Sequence, residues 1–293
     1  MKFTFARPAT WLFLTLVGFM SGPRPGDAQE LMPKAHGEVL STGTTLTGCG
    51  EACGSERPFS ARFTPYFWLT QMHGDLTVRG ETAAVDVSFS KTLDLIFGDL
   101  NFAFLGQVEA NFGSCGFLLN GVYMNIAPGG QVRNVDFSAD FTQTILDAAF
   151  TYELGGVSEM MGWSTGSRLE LLAGIRYNAL TGGLTLTGPS GNRVSASGSQ
   201  EWVDPIIGSR IRLPYNDCWT FTARGDIGGF GLGKASQFTW NIELMAEYSW
   251  SEHCKLIGGW RWLDINYENG SGSMKFGYDM TLSGPVLGLA IDF

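Results

Sequence analysis

Charged side chains recur at every second position beside leucines and aromatics in this chain. The stretch Arg168–Asn178 reads RLELLAGIRYN and puts Arg168, Glu170 and Arg176 on one parity. Similar placement elsewhere yields six arginines (Arg168, Arg176, Arg210, Arg212, Arg224, Arg261) and seven acids (Glu109, Asp147, Glu170, Asp204, Asp226, Glu243, Glu247). Such a set, gathered where water is scarce, has two uses. The charges pair and fill, because an isolated buried charge is costly. Or they line a polar path and select solutes. Catalysis has less to stand on. Of three histidines, His73 with Asp75 could suggest a surface hydrolase, and no second motif joins them into a nucleophile–base or acid–base arrangement. The five cysteines and three histidines show no metal-ligand spacing. We expect no enzyme activity, no metal site and no cofactor.

The elements that position these charges are strands. Read as a helix, RLELLAGIRYN leaves no face apolar. Read as a strand, it separates Leu169, Leu171, Ala173, Ile175 and Tyr177 from Arg168, Glu170, Leu172, Gly174, Arg176 and Asn178. The alternation recurs, as in Phe238, Trp240, Ile242, Leu244, Ala246, Tyr248 and Trp250 against Asn241, Glu243 and Glu247. Turn signals separate the runs. Ten strands are expected, at 60–79, 100–112, 115–127, 136–154, 166–187, 193–213, 217–230, 236–250, 253–268 and 274–293. Within 80–99, residues 84–89 alternate like a further strand and 92–97 suit a short helix. Eight or twelve strands are the alternatives.

Composition narrows the class. Charged residues are 16% against ~25% in soluble domains, and Gly is 40 of 293 residues. The chain opens with Lys2 and Arg7, then a mostly apolar run Ala9–Met20, too short for the ~20 residues a membrane helix needs. This reads as a signal peptide, residues 1–28, cut near Ala28. Removing it takes away three cations and one anion, and the formal charge goes from −9 to −11. An acidic exported chain has no reason to bind nucleic acid. Residues 29–58 read as a flexible segment, residues 59–293 as one β domain. Export permits disulfides, and Cys49 with Cys53 is the easiest pair. Cys218 and Cys254 start strands with one strand between them, a gap of ~9.6 Å that exceeds the ~7 Å limit for a bond.

Alternation alone fits a sandwich or a barrel. Crowded aromatics on the apolar parity, charges beside small residues on the other, and tight turns alternating with longer loops, with 155–166 a longer connection on the short side, favour a transmembrane antiparallel up-and-down β-barrel. Phe112, Phe117, Tyr152, Trp219, Trp250 and Phe293 lie toward the short-turn side, as a girdle does. The stretches WVDPIIGSRIRL (Trp202–Leu213), NDCWTFTARGDIGGFG (Asn216–Gly231), GWRWLDINY (Gly259–Tyr267) and SGPVLGLAIDF (Ser283–Phe293) resemble a family of small, porin-like or OmpA-like bacterial outer-membrane barrels. That resemblance implies the outer membrane as location, its lipid bilayer as partner, and recognition of the last strand, ending in Phe293, by the assembly machinery. It implies no particular activity. The sequence therefore leads to a narrow porin-like channel for small solutes, with a closed barrel for envelope integrity or surface contact through its loops as the alternative. Pro65, Pro205 and Pro285 fall inside strands and are expected at bulges.

Overall fold

The fold is taken from a computed structural model. It describes residues 59–127, 129–132, 135–156, 160–187 and 192–293. The expected signal peptide and flexible segment, with Cys49 and Cys53, lie outside the described residues.

The elements in chain order are β1 (Ser60–Trp68), β2 (Gln71–Val78), β3 (Glu81–Val87), α1 (Phe89–Gly98), β4 (Leu100–Phe112), β5 (Cys115–Ile126), β6 (Gly129–Val132), β7 (Val135–Glu153), β8 (Arg168–Thr187), β9 (Arg193–Pro214), β10 (Trp219–Gly228), β11 (Phe238–Ser249), β12 (Cys254–Asn269) and β13 (Phe276–Asp292). Ten of them pair in a ring, β1-β4-β5-β7-β8-β9-β10-β11-β12-β13, which closes through β13 and β1. All pairings are antiparallel. Ser60 and Phe293 share one end with the connections 113–114, 154–167, 215–218 and 250–253. Three of these four connections are short and 154–167 is the long exception; by the short-turn rule for such walls this end is assigned as periplasmic.

The expected first strand, 60–79, is two strands. β1 pairs with both β13 and β4, but after Leu69 and Thr70 the chain continues as β2, which pairs with β13 and β3 and no longer with β4. The strand-like run in 80–99 is β3, an extension above the ring, and the helix there is α1. β6 is a short addition to β7. Prolines also differ from expectation. Register runs unshifted through Pro205 and Pro285, so no bulge absorbs them. The Pro285 carbonyl instead receives Leu69 N–H, where β1 breaks off, and the Pro205 carbonyl receives Gly229 N–H, where β10 has ended. Their missing N–H groups thus fall where the neighbouring strand is interrupted.

Period two sets the two faces. Phe117 is 61% and Leu287 60% exposed, and with Leu171, Ile175, Ile207, Phe221 and Leu244 they form an outward apolar belt. On β8 it runs from Leu169 to Tyr177, about 20 Å high at ~3.3 Å per residue and ~40° tilt, near the ~25 Å of an outer-membrane belt. The inner face needs close approach of the wall. A Cβ on Gly174, Gly208 or Gly259 would lie 2.1 Å from a carbonyl oxygen of the neighbouring strand. These glycines let the sheet coil tightly enough to close with ten strands.

Candidate functional site

Within the belt, the lumen holds an ion-pair layer that is fully buried at its centre. Arg176 on β8 places Nε 2.7 Å from Asp147 Oδ1 and Nη2 2.8 Å from Asp226 Oδ1. Arg176 and Asp147 side chains are both 0% exposed. Arg224 adds Nη2 at 3.0 Å from Asp226 Oδ2, and Arg261 Nε lies 3.3 Å from Glu243 Oε1. Asn241 donates to Asp226 and accepts from Arg261, tying the two halves together. These residues come from strands distant in sequence but share inward parity, and the stagger of a closed ring brings them to one level.

Toward the periplasmic end lies a second group. Glu109 accepts from both Arg210 and Arg212, and Arg210 also holds Glu170. Below it Arg62 bridges Glu247 and Asp292, and Lys255 reaches Asp292. Arg62, Asp292 and Tyr66 were not among the residues singled out from sequence. Their signal was there: Arg62, Thr64 and Tyr66 alternate on β1, and Asp292 sits between the apolar Ile291 and Phe293. A cavity of ≈ 70 Å³ remains at this level, lined by Arg62, Gln107, Glu109, Arg212, Glu243 and Glu247 among others.

Two expected members stand apart. Arg168 has inward parity but lies exposed at the periplasmic start of β8, opposite Arg212. Asp204 is buried without an arginine in bonding contact; its carboxylate accepts from Asn178, Trp202 Nε1, Ser236 Oγ and Ser236 N–H. Two of those donors belong to the 229–237 connection, so Asp204 holds that loop over the lumen.

Above the ion pairs the inner face changes character. Trp68, Val122, Ile145, Leu180, Trp202, Leu263, Ile265, Tyr267, Tyr278, Met280, Leu282 and Val286 form one buried apolar cluster. Trp202 and Tyr267 stack at 4.0 Å. The expected polar lumen is thus corrected in its outer half. On β12 the swap is visible along the strand: inward Arg261 gives way to Leu263, Ile265 and Tyr267, while outward Trp260 and Trp262 give way to Asp264 and Asn266. Parity is kept and polarity inverts, as it must where the outer face leaves lipid for water.

His73 and Asp75 are exposed on β2. Among the described residues no His, Cys, Asp or Glu cluster could hold a metal ion. Cys218 and Cys254 are free thiols.

A closed antiparallel wall, apolar outside at belt height and charged within, is the architecture that crosses outer membranes. The chain is an integral outer-membrane β-barrel. No family model matches it, and no curated protein does. Among solved structures it is similar to the translocator domain of the autotransporter NalP from Neisseria meningitidis, at 10% identity and TM-score 0.43, covering 83% of this chain and 92% of that one. Ail, the attachment invasion locus protein of Yersinia pestis, matches at 10% identity and TM-score 0.34, covering 80% and 98%. A major outer membrane protein from Thermus thermophilus matches at 14% identity and TM-score 0.34, covering 80% and 99%.

Proposed function

We propose that this barrel is closed to solutes and works as a structural and surface-contact element of the outer membrane, without a catalytic step. The observation that carries this reading is the stopped lumen: the Arg176–Asp147–Asp226 layer has no exposure, and the apolar cluster seals the passage a second time above it. A path for water would have to part both. The wall that continues above the belt supports a role at the surface. β8 runs ten residues beyond Tyr177, about 30 Å of strand at ~3.3 Å each.

The channel for small solutes rests on the cavity of ≈ 70 Å³, whose lining reaches Tyr66, Asn120 and Arg261. Liposome swelling separates the two readings. Proteoliposomes carrying the folded barrel should not swell in isosmotic arabinose or glycine beyond protein-free liposomes. Swelling that scales with protein content, and falls with solute size, would establish the channel instead.

A further inference from the structure

Four buried N–H positions on arginines of the lower lumen have no hydrogen-bond acceptor among the described residues. They are Arg212 Nε, Arg224 Nε, Arg224 Nη1 and Arg261 Nη2. Arg224 and Arg261 are only 3% and 2% exposed. Arg224 Nη1 stands 3.7 Å from Glu243 Oε1, and Arg261 Nη2 stands 3.8 Å from Asp147 Oδ2. Those distances allow charge attraction but are too long for a hydrogen bond. A charged donor left buried and unmet is costly, and three arginines share that state.

All three line the same cavity of ≈ 70 Å³. Its walls carry five arginines, Arg62, Arg210, Arg212, Arg224 and Arg261, against three carboxylates, Glu109, Glu243 and Glu247. The other acids that hold these arginines, Asp147, Glu170, Asp226 and Asp292, lie behind the lining. Among the described residues no buried side-chain oxygen of the lining lacks a partner, and the one orphan oxygen, Asn178 Oδ1, lies elsewhere. The cavity therefore has donors to spare and no acceptor left over. A water molecule would bring two hydrogens with each oxygen. An ionised carboxylate brings about four acceptor sites and no hydrogen, and its planar shape matches the guanidinium fork.

We propose that this cavity binds one small carboxylate anion, of about acetate size. Volume sets the size. Roughly five water-sized positions at ~10–15 Å³ each are more than a single halide fills and less than a sugar acid needs. Charge sets the class. Glu109, Glu243 and Glu247 oppose a second negative charge, which disfavours a phosphate or sulfate dianion. Entry is on the side of Arg62 and Arg212, whose side chains keep 12% and 14% exposure. This goes beyond the closed-barrel reading and does not rest on it, since a guest that enters and leaves by one side crosses nothing.

The test is isothermal titration of sodium acetate into the full chain refolded in detergent micelles. Sodium gluconate, a bulkier carboxylate, keeps the ionic strength constant. The expected result is saturable binding at one site. Affinity should fall about tenfold or more in Arg212→Gln, which leaves Arg210 on Glu109. It should be unchanged in Arg168→Gln, whose side chain is exposed outside the lining. Should Arg212→Gln fail to show heat-modifiable gel mobility, Thr222→Leu, which puts carbon into the cavity wall, should show the same loss. Acetate heats that never saturate would overturn the proposal and leave ordered water as the acceptor. So would equal affinity in the parent and the cavity variant. Tighter binding of sulfate or phosphate than of acetate would overturn the assignment to a singly charged guest.

Discussion

At the scale of single residues, the lumen is a set of charges that cannot be removed one at a time. Asp147 answers Arg176 directly and stands within 4 Å of Arg224 and Arg261. Asp147→Ala would leave three buried guanidinium groups to share Asp226 and Glu243, and breaking a buried pair in this way costs roughly 3–5 kcal/mol. It should lower the temperature at which the barrel loses its fast, heat-modifiable gel mobility far more than Arg168→Ala, whose side chain is exposed. The tight inward glycines give a second contrast. Gly174→Ala puts a methyl 2.1 Å from Ala148 O and should cost about 1–3 kcal/mol, whereas Gly182→Ala meets nothing within 4 Å and should leave the same transition where it is. The alternation made most of these charges legible in the sequence. Arg62 and Asp292 were harder, because each stands alone among apolar neighbours and its partner lies in a strand that only ring closure brings near.

At the scale of elements, strand positions followed from period two almost throughout, since every wall strand carries one lipid face and one inner face. Two features did not follow. The first strand breaks at Leu69 because β13 keeps its partner while β4 does not, and that depends on pairing, which alternation cannot express. The inversion of polarity beyond Trp262 was written in WRWLDINY, but a reading that assigns one chemistry to each parity passes over it. The 229–237 connection depends on a contact equally remote in sequence. Gly229, Phe230, Gly231 and Gly233 all have positive φ, which disfavours Phe230 in particular. Asp204 holds this loop through Ser236. Asp204→Ala removes the acceptor for four donors and should free the loop. Trypsin should then cut after exposed Lys234 in the folded protein, while the parent barrel resists under the same conditions. Equal resistance in the variant would show that the loop is held by other contacts.

At the scale of the whole molecule, the barrel reads as two stacked compartments: an ion-paired lower lumen inside the bilayer and an apolar core in the wall above it. A narrow ring encloses little space to begin with, as eight strands are roughly filled by side chains and open channels appear at ~16–18. Ten strands filled by paired arginines and then by stacked aromatics fit the closed barrel proposed above. Single-channel recording of the refolded protein in planar bilayers tests this most directly. The closed barrel predicts a quiet baseline across both signs of voltage, at protein levels where insertion is verified by gel mobility. Stable ion-conducting steps, shifted in size or selectivity by Arg210→Ala, would contradict it.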